Sequence, residues 1–361
     1  MFEASQQVAI FYNSLLIINL LTFIDLYSHP RKFMNKIPYN HWLEIGLFIF
    51  CLLIIGFREW KVEDVFVDSI RYGEAYERLK FENVLDGKDT GFLLFSYICK
   101  LLGCSVNMYF IICAFFYLFP LYKVSKIVCG KYSFFLFLIC VSSFSFYNYG
   151  VNVIRSGIAT SVLLLAIINY KDKSLLFTYA LIGMSIHISV LLPFAITLIV
   201  LCSKIKERYC LFIWGVSIIF GLYVTDVLKA FFLNIGFVEK RVSMYLAGEA
   251  DPDKFSKVGF RWDFVIYSTL PIIIGVYCIF RKNIKDVFYL FLFKIYLLTN
   301  AIWILICSVP YSDRFAYLSW FMMPVLVFYP FYMTSQLKNK KRNMSFCILL
   351  YYLGTYMLVY K

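Results

Sequence analysis

The chain has 361 residues, 61% of them hydrophobic and 20% aromatic, with 16% charged and a formal net charge of +13. A soluble domain carries about 25% charged residues; this apolar excess cannot be enclosed in one water-soluble core, and it recurs in blocks about one bilayer long. The blocks exceed the roughly ten-residue alternating strands of an outer-membrane barrel, and the positive charge gathers in loops between them, which excludes a nucleic-acid partner in favour of membrane orientation. Composition thus predicts an all-α polytopic membrane protein.

Met1 to Gln7 lacks a basic stretch and a small-residue cleavage site, so no cleaved signal peptide is expected. Apolar spans follow at about 8–26, 42–57, 106–122, 132–148, 151–170, 174–202, 210–228, 263–280, 287–307, 315–333 and 344–360. One set of connecting loops runs from Arg31/Lys32/Lys36 to Lys338/Lys340/Lys341/Arg342 and holds 18 basic residues against three acids, Asp172, Glu207 and Asp286. The other set, Arg58 to Gly91 and Lys229 to Trp262, is mixed or acidic. The basic set belongs in the cytoplasm and the two long loops outside. In the first outer loop, 58–105, Asp64 and Asp68 lie one turn apart, as do Tyr72 and Tyr76, which suits helices lying on the membrane surface. The apolar stretch from Asp89 to Lys100 is too short to span and reads as interfacial. The second outer loop, 229–262, is turn-rich and a candidate lid. No repeat or linker divides residues 1–361, which read as a single integral membrane domain.

The run 174–202 has basic residues on both flanks. As one helix it would reach about 43 Å, too long for an untilted span. Two short helices meeting at His187, a broken re-entrant hairpin, satisfy both flanks; the alternative is one long tilted helix. With the hairpin there are about twelve membrane segments and both termini lie outside.

Arg155 and His187 stand at membrane depth, where a polar side chain is costly without a partner, cavity or substrate. Arg155, Arg241 and Arg314 form a candidate anion site, because a guanidinium offers a planar fork that matches phosphate. Gly150 and Gly157 would let a backbone or headgroup approach Arg155 closely. The plainer readings are an ion pair of Arg155 with Asp313 or Asp68, an interfacial anchor for Arg314 and a solvated charge for Arg241. His187 suits a proton shuttle, a donor to phosphate or a polar plug in the helix break. Asp64 and Asp68 are candidate bases. Tyr72, Tyr149, Tyr245 and Tyr317 would stack on sugar rings or line the membrane interface. Lys294, mid-span, snorkels or pairs with a helix. The 11 cysteines show no metal spacing, and His29 and His41 fall on the other side from His187, so no metal is expected.

Several motifs occur in order: Arg58 with a downstream Asp and Tyr, Asp89-x-Gly91-Phe92, Asn152-x-x-Arg155-x-Gly157-x-Ala159, His187-x-Ser189, Arg241-x-x-x-Tyr245 and Asp313-Arg314-x-x-x-Tyr317. Together they resemble the EpsG family of bacterial membrane proteins, which is similar to the Wzy polymerases of O-antigen and capsule synthesis, over about Arg58 to Tyr317. The chain departs from that family's pattern at Val62-Glu63-Asp64, at Ser156 and at Asp89-Thr90, where Gly-Thr-Asp, Gln and Glu-Pro are common. The resemblance implies a glycosyltransferase that polymerises undecaprenyl-diphosphate-linked oligosaccharide repeat units. It would work on the periplasmic face of the bacterial inner membrane, making the two outer loops periplasmic. Arg155, Arg314, Arg241 and Arg58 would bind the diphosphate. His187, Asp68 or Asp64 would take the acceptor proton, and Tyr72, Tyr149, Tyr245 and Tyr317 would hold sugars. No cofactor is implied; the partners are lipid-linked donor and acceptor, membrane lipids, a chain-length regulator and a flippase. A glycan ligase and a flippase or transporter of the same units are the competing readings. A transporter would carry charges in a central cavity between near-symmetric halves, and neither feature is visible here.

Overall fold

A computed structural model describes residues 4–28, 37–62, 66–85, 88–223, 259–308, 312–333 and 339–360. Of these, 85% are helical and none lies in a strand, as the long apolar runs predict. Five helical stretches among them, Ser5–Ser28, Val106–Val141, Trp262–Arg281, Val287–Leu305 and Asp313–Met333, are long and apolar enough to cross a bilayer. Further apolar helices are shorter. The protein is a multi-pass membrane protein. It divides into two compact units, residues 1–191 with 328–361 and residues 192–327.

In the first unit, α1 (Ala4–Ser28) packs along the final helix, Lys340–Val359. The Tyr352 hydroxyl donates to the Tyr12 carbonyl and the Tyr356 hydroxyl to Asn13 Oδ1 at 2.9 Å. α2 (Ile37–Gly56) packs on α6 (Val106–Cys129). They are tied by the fully buried Glu44, whose carboxylate takes Lys126 Nζ at 2.5 Å and the Ser133 hydroxyl at 2.9 Å. Between them in sequence come α3 (Val67–Arg78), α4 (Phe81–Leu85) and α5 (Thr90–Leu101), short helices in the predicted outer loop. The expected spans 132–148 and 151–170 are divided as α7 (Ser133–Val141), α8 (Phe144–Val151) and α9 (Ile154–Ile168). The breaks fall at Ser142-Ser143 and Asn152-Val153. Ser143 Oγ donates back to the Ile139 carbonyl at 3.1 Å, the side-chain-to-backbone bonding that weakens a helix, and Asn152 Nδ2 donates to the Asn148 side chain at 3.1 Å.

α10 (Lys173–Ile186) ends at His187, whose backbone is extended (φ −158°, ψ 122°). A 3-10 turn, Ile188–Val190, precedes α11 (Leu191–Cys202). The helix thus breaks at His187, the expected position, and does not run on as one long helix.

The second unit holds α12 (Glu207–Tyr223), α13 (Trp262–Val276), α14 (Val287–Leu305) and α15 (Asp313–Trp320). α16 (Met323–Met333) crosses the division between units, and the expected span 315–333 is interrupted at Phe321-Met322, just before Pro324 in the first turn of α16. A buried polar chain joins four helices of this unit: Trp214 Nε1 donates to Asn300 Oδ1 at 2.8 Å, and Asn300 Nδ2 to Ser319 Oγ at 2.9 Å. Trp320 Nε1 completes it by donating to Ser268 Oγ at 2.7 Å. Such bonds hold transmembrane helices together where lipid removes the hydrophobic drive. Lys294 donates to the Ile205 carbonyl at 3.4 Å, in the loop between α11 and α12 and not on a helix. Most of the candidate lid at 229–262 lies outside the described residues.

Candidate active site

The site is organised by a residue that the composition of its surroundings conceals. Asp89 stands at the start of α5 and is only 5% exposed. An ionised carboxylate so enclosed needs hydrogen-bond donors. It finds them far along the chain. Arg155 Nη1 donates to Asp89 Oδ2 at 2.5 Å. The Nδ1 of His187 lies 3.2 Å from Oδ1 and 3.1 Å from Oδ2. The backbone N–H of Ile188 also donates to this carboxylate. Burial alone would raise the Asp89 pKa, but His187, Arg155 and Ile188 outweigh it and hold the carboxyl below its ordinary value.

Local structure explains each placement. The extended backbone at His187 turns its side chain out of the helix register. Gly91 lets the start of α5 press onto the end of α10: a Cβ there would stand 2.3 Å from Ser185 Oγ and 2.8 Å from the Ser185 carbonyl carbon. Arg155 lies in the first turn of α9, the positive end of the helix dipole, where a cation is disfavoured; the Asp89 carboxylate offsets that. Gly157 allows α9 to close on the preceding segment, since a Cβ would meet the Tyr149 carbonyl oxygen at 2.6 Å. The Tyr72 hydroxyl accepts from Arg155 Nε at 3.3 Å, with the ring centroid 5.7 Å from the guanidinium carbon. Phe92 meets Tyr72 edge-on at 6.0 Å. α3 itself is docked by the Ser69 hydroxyl, which donates to the Val151 carbonyl at 2.7 Å.

Of the residues expected from sequence, Arg155, His187 and Tyr72 come together here. Their acidic partner is Asp89, which in the sequence stands out only as part of a motif. Its signal was the acid that opens Asp89-x-Gly91-Phe92, a motif in which acid, glycine and phenylalanine each have a contact in this site. Asp68 lies in the first turn of α3, 3.4 Å from Arg71 Nη1. Asp64, Arg241 and Tyr245 lie outside the described residues.

Arg58, expected on the diphosphate, is instead 1% exposed. Its Nη1 donates to the Ile55 carbonyl at 2.7 Å and the Gly150 carbonyl at 3.2 Å, and its guanidinium lies 4.0 Å above the Phe110 ring. Nε and Nη2 have no partner among the described residues. Burial pulls this guanidinium down to about 10, so it stays charged near neutral pH. The C-terminal ends of α2 and α8 supply the compensating partial negative charge. Arg58 is therefore a clamp on two helix ends. Tyr149, 2% exposed, and Tyr317, 4% exposed, are likewise enclosed, so the expected sugar stacking is not available to either in this conformation.

In the second unit, Arg314 is exposed in the first turn of α15, next to half-buried Asp313. Arg261 acts electrostatically on Asp313 as well. Arg261 holds Asp263 with two prongs, Nε to Oδ1 at 3.0 Å and Nη2 to Oδ2 at 2.9 Å, and covers Phe264 at 3.7 Å. Among the described residues no group of three His, Cys, Asp or Glu side chains is placed to hold a metal ion.

A family model, EpsG, matches residues 42–361, a span that contains Tyr72, Asp89, Arg155 and His187. No curated protein and no solved structure matches the chain.

Proposed function

The chain belongs to the EpsG family of Wzy-like, polysaccharide-polymerase-type membrane proteins, and on that premise we propose that it polymerises undecaprenyl-diphosphate-linked oligosaccharide repeat units on the periplasmic face of the bacterial inner membrane. The observation that supports this most is the convergence of Arg155 and His187 on Asp89, with the arginine side chain 38% and the histidine side chain 21% exposed. A cation and an imidazole from different elements thus border one partly open site. Arg155 binds the donor diphosphate and stabilises the charge that grows on it as the glycosidic bond to phosphate breaks. From sequence alone, Arg314 and Arg241 are proposed as anion ligands too. His187 takes the proton of the acceptor hydroxyl; Asp68 and Asp64 are the other candidate bases. Tyr72 offers its half-buried ring to a sugar.

In this reading the helix break at His187 is the tip of a re-entrant segment near the outer leaflet. Backbone that leaves helical geometry at depth is tolerated where it lines a cavity. The surface glycan of cells carrying Arg155→Ala or His187→Ala tests the function. A polymerase defect leaves single repeat units and removes the ladder. A flippase defect leaves no units at the outer face, and normal ladders from both variants would remove these residues from the site.

A further inference from the structure

We propose that Asp89 is the positioning residue of this site: it fixes His187 with Nδ1 protonated and Nε2 as the base, and stabilises the imidazolium that forms. This rests on the polymerase reading above and selects among its candidate bases. Three features of the geometry support it. Asp89 receives the His187 ring at both oxygens, 3.2 Å and 3.1 Å from Nδ1. It is ionised, since the guanidinium of Arg155 and the N–H of Ile188 also point at it. An ionised carboxylate has no proton to give, so the proton between the two groups belongs to Nδ1. The other nitrogen, Nε2, then carries the lone pair, and it has no hydrogen-bond partner among the described residues. Ile188 follows His187 directly, so the bond from its N–H pins the same carboxylate to the helix break itself.

The charge balance gives the arrangement its use. At rest, Arg155 is positive, Asp89 negative and His187 neutral. In the reaction the acceptor O–H bond breaks and its proton goes to Nε2. The oxygen's electron pair forms the bond to the anomeric carbon. The bond from that carbon to the diphosphate oxygen breaks, and its electron pair leaves with the polyprenyl diphosphate. The proton later passes from Nε2 to water or to the released diphosphate. Asp89 thus faces a second positive charge only while the transfer is under way, which is the differential stabilisation that raises kcat. Among the described residues the ionisable groups acting on Asp89 are His187 at the end of α10 and Arg155 on α9, with Tyr72 of α3 on the far side of Arg155.

The experiment uses purified full-length protein with lipid-linked repeat units, comparing wild type, Asp89→Asn and Asp89→Glu. Asp89→Asn keeps an acceptor for Arg155 and Ile188 but loses the charge. It is expected to lower kcat on the order of 100-fold or more and to change the donor KM by less than about threefold. Asp89→Glu should recover part of kcat. A readout without turnover accompanies it: 15N NMR of ring-labelled histidine, with His29 and His41 replaced by Gln, which reports the nitrogen of His187 that carries the proton. Wild type should show the Nδ1–H tautomer, and Asp89→Asn should lose that preference. A wild-type Nε2–H tautomer, or an Asp89→Asn protein with wild-type kcat and tautomer, would overturn the assignment. So would one that loses kcat and donor binding alike with an unchanged tautomer, which marks a purely structural residue. If wild type itself fails to extend lipid-linked units while the tautomer still depends on Asp89, the polymerase reading fails and the Asp89–His187 pairing stands.

Discussion

Two arginine–carboxylate pairs, one in each unit, show how differently the same chemistry can be used. Arg261 closes on Asp263, two positions away, with both prongs engaged and an aromatic ring beneath it. Arg155 reaches Asp89 across 66 positions, and that carboxylate also serves a histidine and a backbone amide. Asp263 has a side chain 21% exposed, against 6% for Asp89. A local bidentate pair at a helix start holds its own turn together. A buried carboxylate shared by groups from separate helices assembles a site, and the Asp89 side chain, although at the N-cap of α5, makes no capping bond to it.

The comparison can be broken by substitution. Arg155→Ala should cost on the order of 100-fold or more in polymer formation at matched protein level, the usual effect of losing a group that meets developing charge. Arg58→Ala should behave oppositely. It removes the donors of two helix-end carbonyls and leaves a cavity, so stability should fall on the order of 3 kcal/mol, read from thermal unfolding in detergent, while folded protein keeps its activity. If Arg58→Ala instead folded normally and lost activity, the clamp assignment would fail. Gly91→Ala should cost about 1–3 kcal/mol of stability and reduce activity with it, because the new Cβ meets Ser185 and displaces the start of α5. Arg261→Ala should cost about 1 kcal/mol and leave chain extension within a fewfold of wild type; loss of the glycan ladder at intact stability would show that the second pair is more than local.

The smallest effect is on pH. The folded-state pKa of Asp89 lies below its ordinary value, so its contribution to stability is present above the unfolded carboxylate pKa, about 3.9, and is lost as pH falls through the lower folded value. Acid unfolding curves of wild type and Asp89→Asn should therefore converge only below about pH 4.

Much of this was legible in the sequence, for physical reasons. Apolar runs located the helices, and the basic flanks of 174–202 favoured a break at His187 over one long tilted helix. Arg155 and His187 were conspicuous because polar groups amid apolar residues are costly. The helix break at Ser142-Ser143 was hidden, because two serines inside an apolar run leave its hydrophobicity intact, whereas the one at Asn152-Val153 falls within a few residues of the expected boundary between 148 and 151. Asp89 was hidden for the converse reason: it follows an acidic loop, where a carboxylate has no cost, and only the packing of α5 on α10 buries it. Arg58 and Tyr317 sit in motifs that suggested ligand contacts, and Tyr149 is an aromatic residue close in sequence to Arg155. Enclosure is a property of packing, and residue type alone does not carry it.

The most direct test of the central claim is the chain-length distribution of the surface glycan in cells whose only copy of the protein carries Asp89→Asn, with the membrane level of the protein matched to wild type. Asp89 as the shared partner of Arg155 and His187 predicts that the ladder collapses to single repeat units. A full-length ladder would contradict it.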